Sequence, residues 1–133
     1  MPTIPSVPFE PKSTAYLERG HFWALPLQGG AFGAGCVVGR AIRQGKISTR
    51  EFIAGVVAWT GTEIPTPEVL VGREVIAHAF AHIKAVTESG GLILGKALLQ
   101  FRELPIEAEV LSLSTWGYGV PGILAQKYAK EHS

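Results

Sequence analysis

Aspartate and asparagine are absent from all 133 residues, and cysteine occurs once, at position 36. Without Asp there is no aspartic dyad, no Asp-based catalytic triad, no EF-hand loop and no Asp-led magnesium site; without Asn there is no N-glycosylation sequon. A lone Cys36 excludes an intramolecular disulfide, so stability has to come from apolar burial. Charge is scarce as well. Lys and Arg total 12, the acidic residues total 11, and charged residues make up 17% of the chain. A formal net charge of +1 provides no overall field to gather nucleic acid or anionic membrane. No window holds the roughly 18 apolar residues that a membrane span requires. The start, Met1-Pro2-Thr3-Ile4-Pro5, has no basic stretch leading into an apolar one, so the expectation is a cytoplasmic chain.

Glycine, by contrast, is abundant, with 16 residues in a chain that is 47% hydrophobic. Each Gly inside a helix costs about 1 kcal/mol, so strands joined by turns are favoured over long helices. The length suits one domain with one core. Residues 1–15, with Pro2, Pro5, Pro8 and Pro11, read as an extended arm, because each proline fixes φ and withholds a backbone donor. Residues 16–133 form the single domain.

Within it, the apolar stretch Tyr16 to Leu27, the turn Gln28-Gly29-Gly30 and the run Ala31 to Arg40 make a hairpin. Gly33, Gly35 and Gly39 in its second arm leave room for a bend or for close approach by another layer. Gln44-Gly45-Lys46 is the next turn, and Glu51 to Thr60 is β-branched enough to be a buried central strand. Thr66 caps a short helix from Pro67 to Leu70. Arg73 to Val86 alternates with a period of two and predicts a strand; Gly91 to Leu99 predicts another, and Glu107 to Trp116 a third. Pro121 to Lys130 suits a terminal amphipathic helix with Ile123, Leu124, Lys127 and Tyr128 near one face. The expected fold class is α+β: a curved, largely antiparallel sheet of five to seven strands closed toward a partial barrel, with a short internal helix and a C-terminal helix.

Few residues carry chemistry. His78 and His82 stand four apart, as zinc ligands do on a helix, but on a strand they lie about 13 Å apart and no third ligand accompanies them. Cys36, between Gly35 and Val37 with no adjacent base, reads as a small core residue rather than a nucleophile paired with His21. The glycine-rich stretch from Gly29 to Gly35 lacks the Gly-Lys-Ser/Thr ending of a phosphate loop. Arg40, Arg43, Lys46 and Arg50, near Phe52 and Trp59, have the mixture of cations and aromatics that single-stranded nucleic acid requires, although a solvated turn between strands explains them equally. In Trp116-Gly117-Tyr118-Gly119 two large aromatics stand between glycines, the residue types that anchor protein interfaces; the alternative packs Trp116 inward and leaves only the Tyr118 hydroxyl to water. Glu51, Glu63, Glu74, Glu107 and Glu109 are the acids and bases left for catalysis, and no spacing joins them.

Gly20-His21-Phe22-Trp23-Ala24-Leu25-Pro26-Leu27, a turn, and Phe32-Gly33-Ala34-Gly35-Cys36-Val37-Val38 resemble the signature of the immunity protein 26 family of bacterial polymorphic toxin systems. The order downstream is similar as well: an apolar strand from Phe52 to Ala58, then Thr62-Glu63-Ile64-Pro65 leading to a short helix and a further strand. The likeness spans residues 16 to 86. It implies a protein that binds and neutralises a cognate toxin domain by occlusion, with no catalysis and no cofactor. The partner-binding residues expected from the chain itself are Trp116, Tyr118, Arg40 and Arg43. The other class of function is a small ligand-binding or hydrolytic domain, with Glu and His21 or His78 in a pocket at the open end of the sheet.

Overall fold

The computed structural model describes residues 6–110 and 112–132. Pro2, Pro5 and the rest of residues 1–5 of the predicted arm, together with Leu111, lie outside them. Seven strands form one sheet: β1 (His21–Pro26), β2 (Phe32–Arg43), β3 (Lys46–Gly61), β4 (Val75–His82), β5 (Gly95–Lys96), β6 (Glu107–Glu109) and β7 (Thr115–Trp116). Three α-helices accompany them: α1 (Pro67–Leu70), α2 (Lys84–Thr87) and α3 (Val120–Glu131). The strand order is β5-β1-β2-β3-β4-β7, with β6 paired to β2 off that path. Pairing is antiparallel except for β6 on β2 and β7 on β4. The fold is therefore α+β with a largely antiparallel sheet, and the sheet is not closed into a barrel.

The near-continuous apolar character of β2 and β3 follows from burial on both faces. Side chains alternate between two cores. Trp23, Leu25, Val37, Phe52, Ala54, Val56 and Ala81 face one side, where Ala125 of α3 and Ala85 and Val86 of α2 cover them. Phe22, Cys36, Val38, Ile53, Val57 and Phe80 face the other, under Leu70 of α1 and the segment carrying Ala97, Phe101 and Leu104. Gly33 is needed for the first covering, because a Cβ there would stand 2.7 Å from the Ala125 methyl.

The β2–β3 hairpin turns at Gln44 and Gly45, both with positive φ (53° and 77°), the geometry whose twist matches paired strands. Beyond it the register breaks. Ile42 faces Ile47, but Arg40 faces Phe52, so β3 carries extra residues around Ser48 to Glu51. The Ser48 Oγ accepts from the amides of Arg50 (3.3 Å) and Glu51 (3.0 Å), while Thr14 donates to the carbonyls of Ser48 and Thr49. That bulge bends the strand and turns Glu51 back toward Arg43.

Three sequence expectations are corrected. The strand predicted from Arg73 to Val86 stops at His82, and Lys84–Thr87 is helical. The run Gly91 to Leu99 is strand only at Gly95–Lys96, although the Ile93 amide and carbonyl pair with Phe9 and so hold the arm. The run Glu107 to Trp116 splits into β6 and β7, because the Ser112 amide and hydroxyl both donate to the Glu109 carbonyl and close a turn there. The C-terminal helix is close to its predicted bounds, but its buried face is Pro121 and Ala125, and Ile123 is 68% exposed. The Thr66 cap is present, its hydroxyl accepting from the Val69 amide at 3.4 Å.

Candidate partner-binding surface

The bulge and the β3–β4 register assemble a polar row that no single strand contains. Glu51 stands opposite His82. Arg43 grips Glu51 with Nε to Oε1 and Nη2 to Oε2, both at 2.8 Å, the bidentate geometry in which a planar guanidinium meets a carboxylate. Those hydrogen bonds hold the Glu51 carboxyl below its usual range; partial burial opposes them, and Ser48 and the nearby His82 add to them. Beyond His82 lies Tyr118, its ring centroid 5.8 Å from the imidazole and its side chain 45% exposed. The row Arg43, Glu51, His82, Tyr118 is thus a continuous surface strip with one aromatic and one guanidinium end.

The four residues expected from the sequence separate. Arg43 and Tyr118 belong to this row. Trp116, level with Ala81 in the β4–β7 register, is half-buried and packs against the core that contains Trp23. Its inward packing leaves Tyr118 as the projecting aromatic. Arg40 is exposed but lines a different feature, a cleft of about 350 Å³ with Glu18, Arg19, Lys96 and Glu107. Sequence reasoning missed Arg19 and Lys96, which carried no motif. In the sequence Glu51 stands out only as an acid, and His82 as a metal ligand or a solvated histidine on an outer face.

The other chemical candidates resolve by burial. Cys36 is fully buried, and loss of solvation pushes its thiol up to about 12, so no thiolate is available at neutral pH. Phe52 and Trp59, needed for base stacking beside the basic cluster, are 1% and 9% exposed; they are core residues. Gly29 and Gly30 form a tight turn with positive φ at both, consistent with a hairpin connection. Among the described residues no group of three or more His, Cys or Glu is placed to share a metal ion. Among the described residues no helix is long and apolar enough to cross a membrane.

Glu and His do meet in the cleft of about 470 Å³ between α3 and the β3–β4 ladder, where Glu74, Glu131 and His132 stand over Ala58, Ile76 and Leu124. Glu74 is bound there by Arg102, and the His132 ring stacks on Tyr128 at 4.0 Å. These contacts tie both groups to neighbours on the cleft rim. His78 lies on β4 opposite Gly55.

His21 is 3% exposed, and its Nδ1 accepts the Glu18 amide proton at 2.9 Å, which requires the neutral ring with the proton on Nε2. Burial pushes its pKa below the ordinary 6.5, Glu18 opposing and Lys96 assisting. The unfolded chain therefore binds a proton in a range where the folded chain does not. This contribution to stability is complete above about pH 6.5 and declines as pH falls toward the folded value. The expected result is a melting temperature that drops between pH 7.5 and pH 5. In His21→Gln, where an amide oxygen can accept the same proton, that slope is reduced. A parent protein with a flat profile across this range would exclude the linkage.

Comparisons with protein-family models, with curated proteins and with solved structures give no match to this chain.

Proposed function

We propose that this chain is a non-catalytic binding protein of the immunity type, which covers the working surface of a protein toxin domain with the face around Arg43, Glu51, His82 and Tyr118. The carrying observation is the continuity of that row: through Glu51 and His82, a bidentate guanidinium and an exposed tyrosine far apart in the sequence line one strip at the end of the sheet. Tyr and Arg are the residue types that dominate binding energy when a partner desolvates them. A sheet packed on both sides holds them without a large ordering cost on association. The resemblance of residues 16 to 86 to immunity protein 26 supplies the partner class.

The test is titration calorimetry of the full chain against the C-terminal domain of a secreted protein encoded by the adjacent upstream reading frame. Tight binding is expected, with Tyr118→Ala and Arg43→Ala each weakening it by about thirtyfold, a loss of about 2 kcal/mol. Binding indifferent to both substitutions would remove this face from the interface. No complex with that domain would overturn the immunity reading.

A further inference from the structure

We propose that the cleft beside Arg40 is a carboxylate-binding site, a function separate from the Arg43 to Tyr118 row. Its size, about 350 Å³, falls within the range of small-ligand sites, and Leu17, Val37 and Ile106 give it apolar walls. The charges around it are unevenly matched. Glu18 is taken up by Lys96 at 2.7 Å, so that pair is neutral. Arg19 is fixed from two sides, its Nη2 donating to the Leu104 carbonyl at 3.0 Å and its guanidinium lying 4.2 Å from the Phe101 ring centre. Its Nε–H is buried with no acceptor, and it forms no salt bridge with a described residue. Arg40 has no salt bridge among the described residues either, and its side chain is exposed at the cleft. Two guanidinium groups therefore stand against one unmatched carboxylate, that of Glu107.

That balance selects the ligand. One unit of positive charge remains, which a single carboxylate neutralises while Arg40 offers it a planar, bidentate donor pair. A phosphate dianion would leave the cleft negative beside Glu18 and Glu107, and is disfavoured by the same arithmetic. Arg19 supplies field rather than a contact, since its guanidinium is already oriented by Leu104 and Phe101. The same chemistry belongs to a free organic acid and to an acidic residue of a peptide.

The experiment is amide NMR of the full chain, titrated at constant ionic strength with propionate, with an end-blocked tetrapeptide containing one Glu, and with inorganic phosphate. Saturable shifts at Gly39, Arg40, Lys96 and Glu107 are expected with a carboxylate probe. Arg40→Gln should weaken that binding by about tenfold or more, and Lys84→Gln, on the distant helix α2, should leave it unchanged. Tighter binding of the peptide than of propionate would assign the site to a protein partner, and the reverse to a small acid; either supports it. No saturation by either carboxylate, equal or stronger binding of phosphate, or an Arg40→Gln variant that binds as the parent does would overturn it. These outcomes are independent of whether a toxin domain binds the other face.

Discussion

Trp23→Ala is expected to cost about 3–5 kcal/mol, in a domain whose total stability is of the order of 5–15 kcal/mol. Trp23 is completely buried, stands opposite Gly35 in the β1–β2 register, and meets Phe52 edge to face at 5.9 Å. Its indole lies directly over Gly35, where a Cβ would come within 2.4 Å of Cζ2. The sheet was thus built around a tryptophan seated on a glycine, and removing the ring leaves a void that neighbouring strands cannot close. The indole Nε1–H is buried without an acceptor, so part of the ring's contribution is offset by an unmet donor. Trp23→Phe, which removes that donor with less lost volume, should cost about 1–2 kcal/mol. Gly35→Ala overpacks the same contact, at about 1–3 kcal/mol. Combined with Trp23→Ala it should cost less than the sum, since the ring it strikes is gone. Urea unfolding with an unchanged slope measures all four; a Trp23→Ala midpoint equal to that of the parent would contradict this account.

The same contact explains what could be read in advance. Gly33 and Gly35 in the sequence point to a bend or to a close approach, and the structure has the close approach, to Ala125 and to Trp23. The first hairpin, the turn at Gln44-Gly45, the Thr66 cap and the terminal helix were legible for a similar reason, each being set by local backbone chemistry. The segments that misread are those whose apolar pattern records burial and not pairing. In Gly91 to Leu99, Ile93 enters one core while Leu94 and Ala97 enter the other, so the run is as apolar as a strand without the alternation of one. Its amides bond to Phe9, Phe22 and Gly20 and make little continuous ladder. The polar row was harder still. Arg43 and Glu51 meet only because the bulge at Ser48 shifts the register, and no periodicity in the sequence encodes where a strand slips. Arg40 and Arg43, read together as one basic cluster, stand three apart on β2, and the alternation of a strand sends them to different features.

Gly39→Ala should cost about 3 kcal/mol and, unlike Trp23→Ala, should do so locally. The ladder position beside β2 is occupied by β1 up to Cys36, after which β6 takes over in parallel, with Arg40 facing Glu107. Gly39 sits at that exchange. A Cβ there would be 2.4 Å from the Ile106 carbonyl oxygen and 2.7 Å from that of Pro105. Both obstacles are backbone, so no rotamer change relieves them, and the segment must lift away from β2. The hydrogen bonds from the Arg40 amide to Ile106 and from the Val110 amide to Ile42, both 2.9 Å, would be the first lost. Hydrogen exchange should therefore show Arg40 and Val110 deprotected while the β3–β4 ladder retains the protection set by global unfolding. Ile106→Ala provides the contrast: its side chain is 63% exposed, and its truncation should change stability by no more than about 0.5 kcal/mol. If Gly39→Ala melts with the parent, the 105–109 segment is not held by that contact. If it melts early with uniform loss of protection, the segment belongs to the same cooperative unit as the core, and the cleft wall is as rigid as the sheet it lies on.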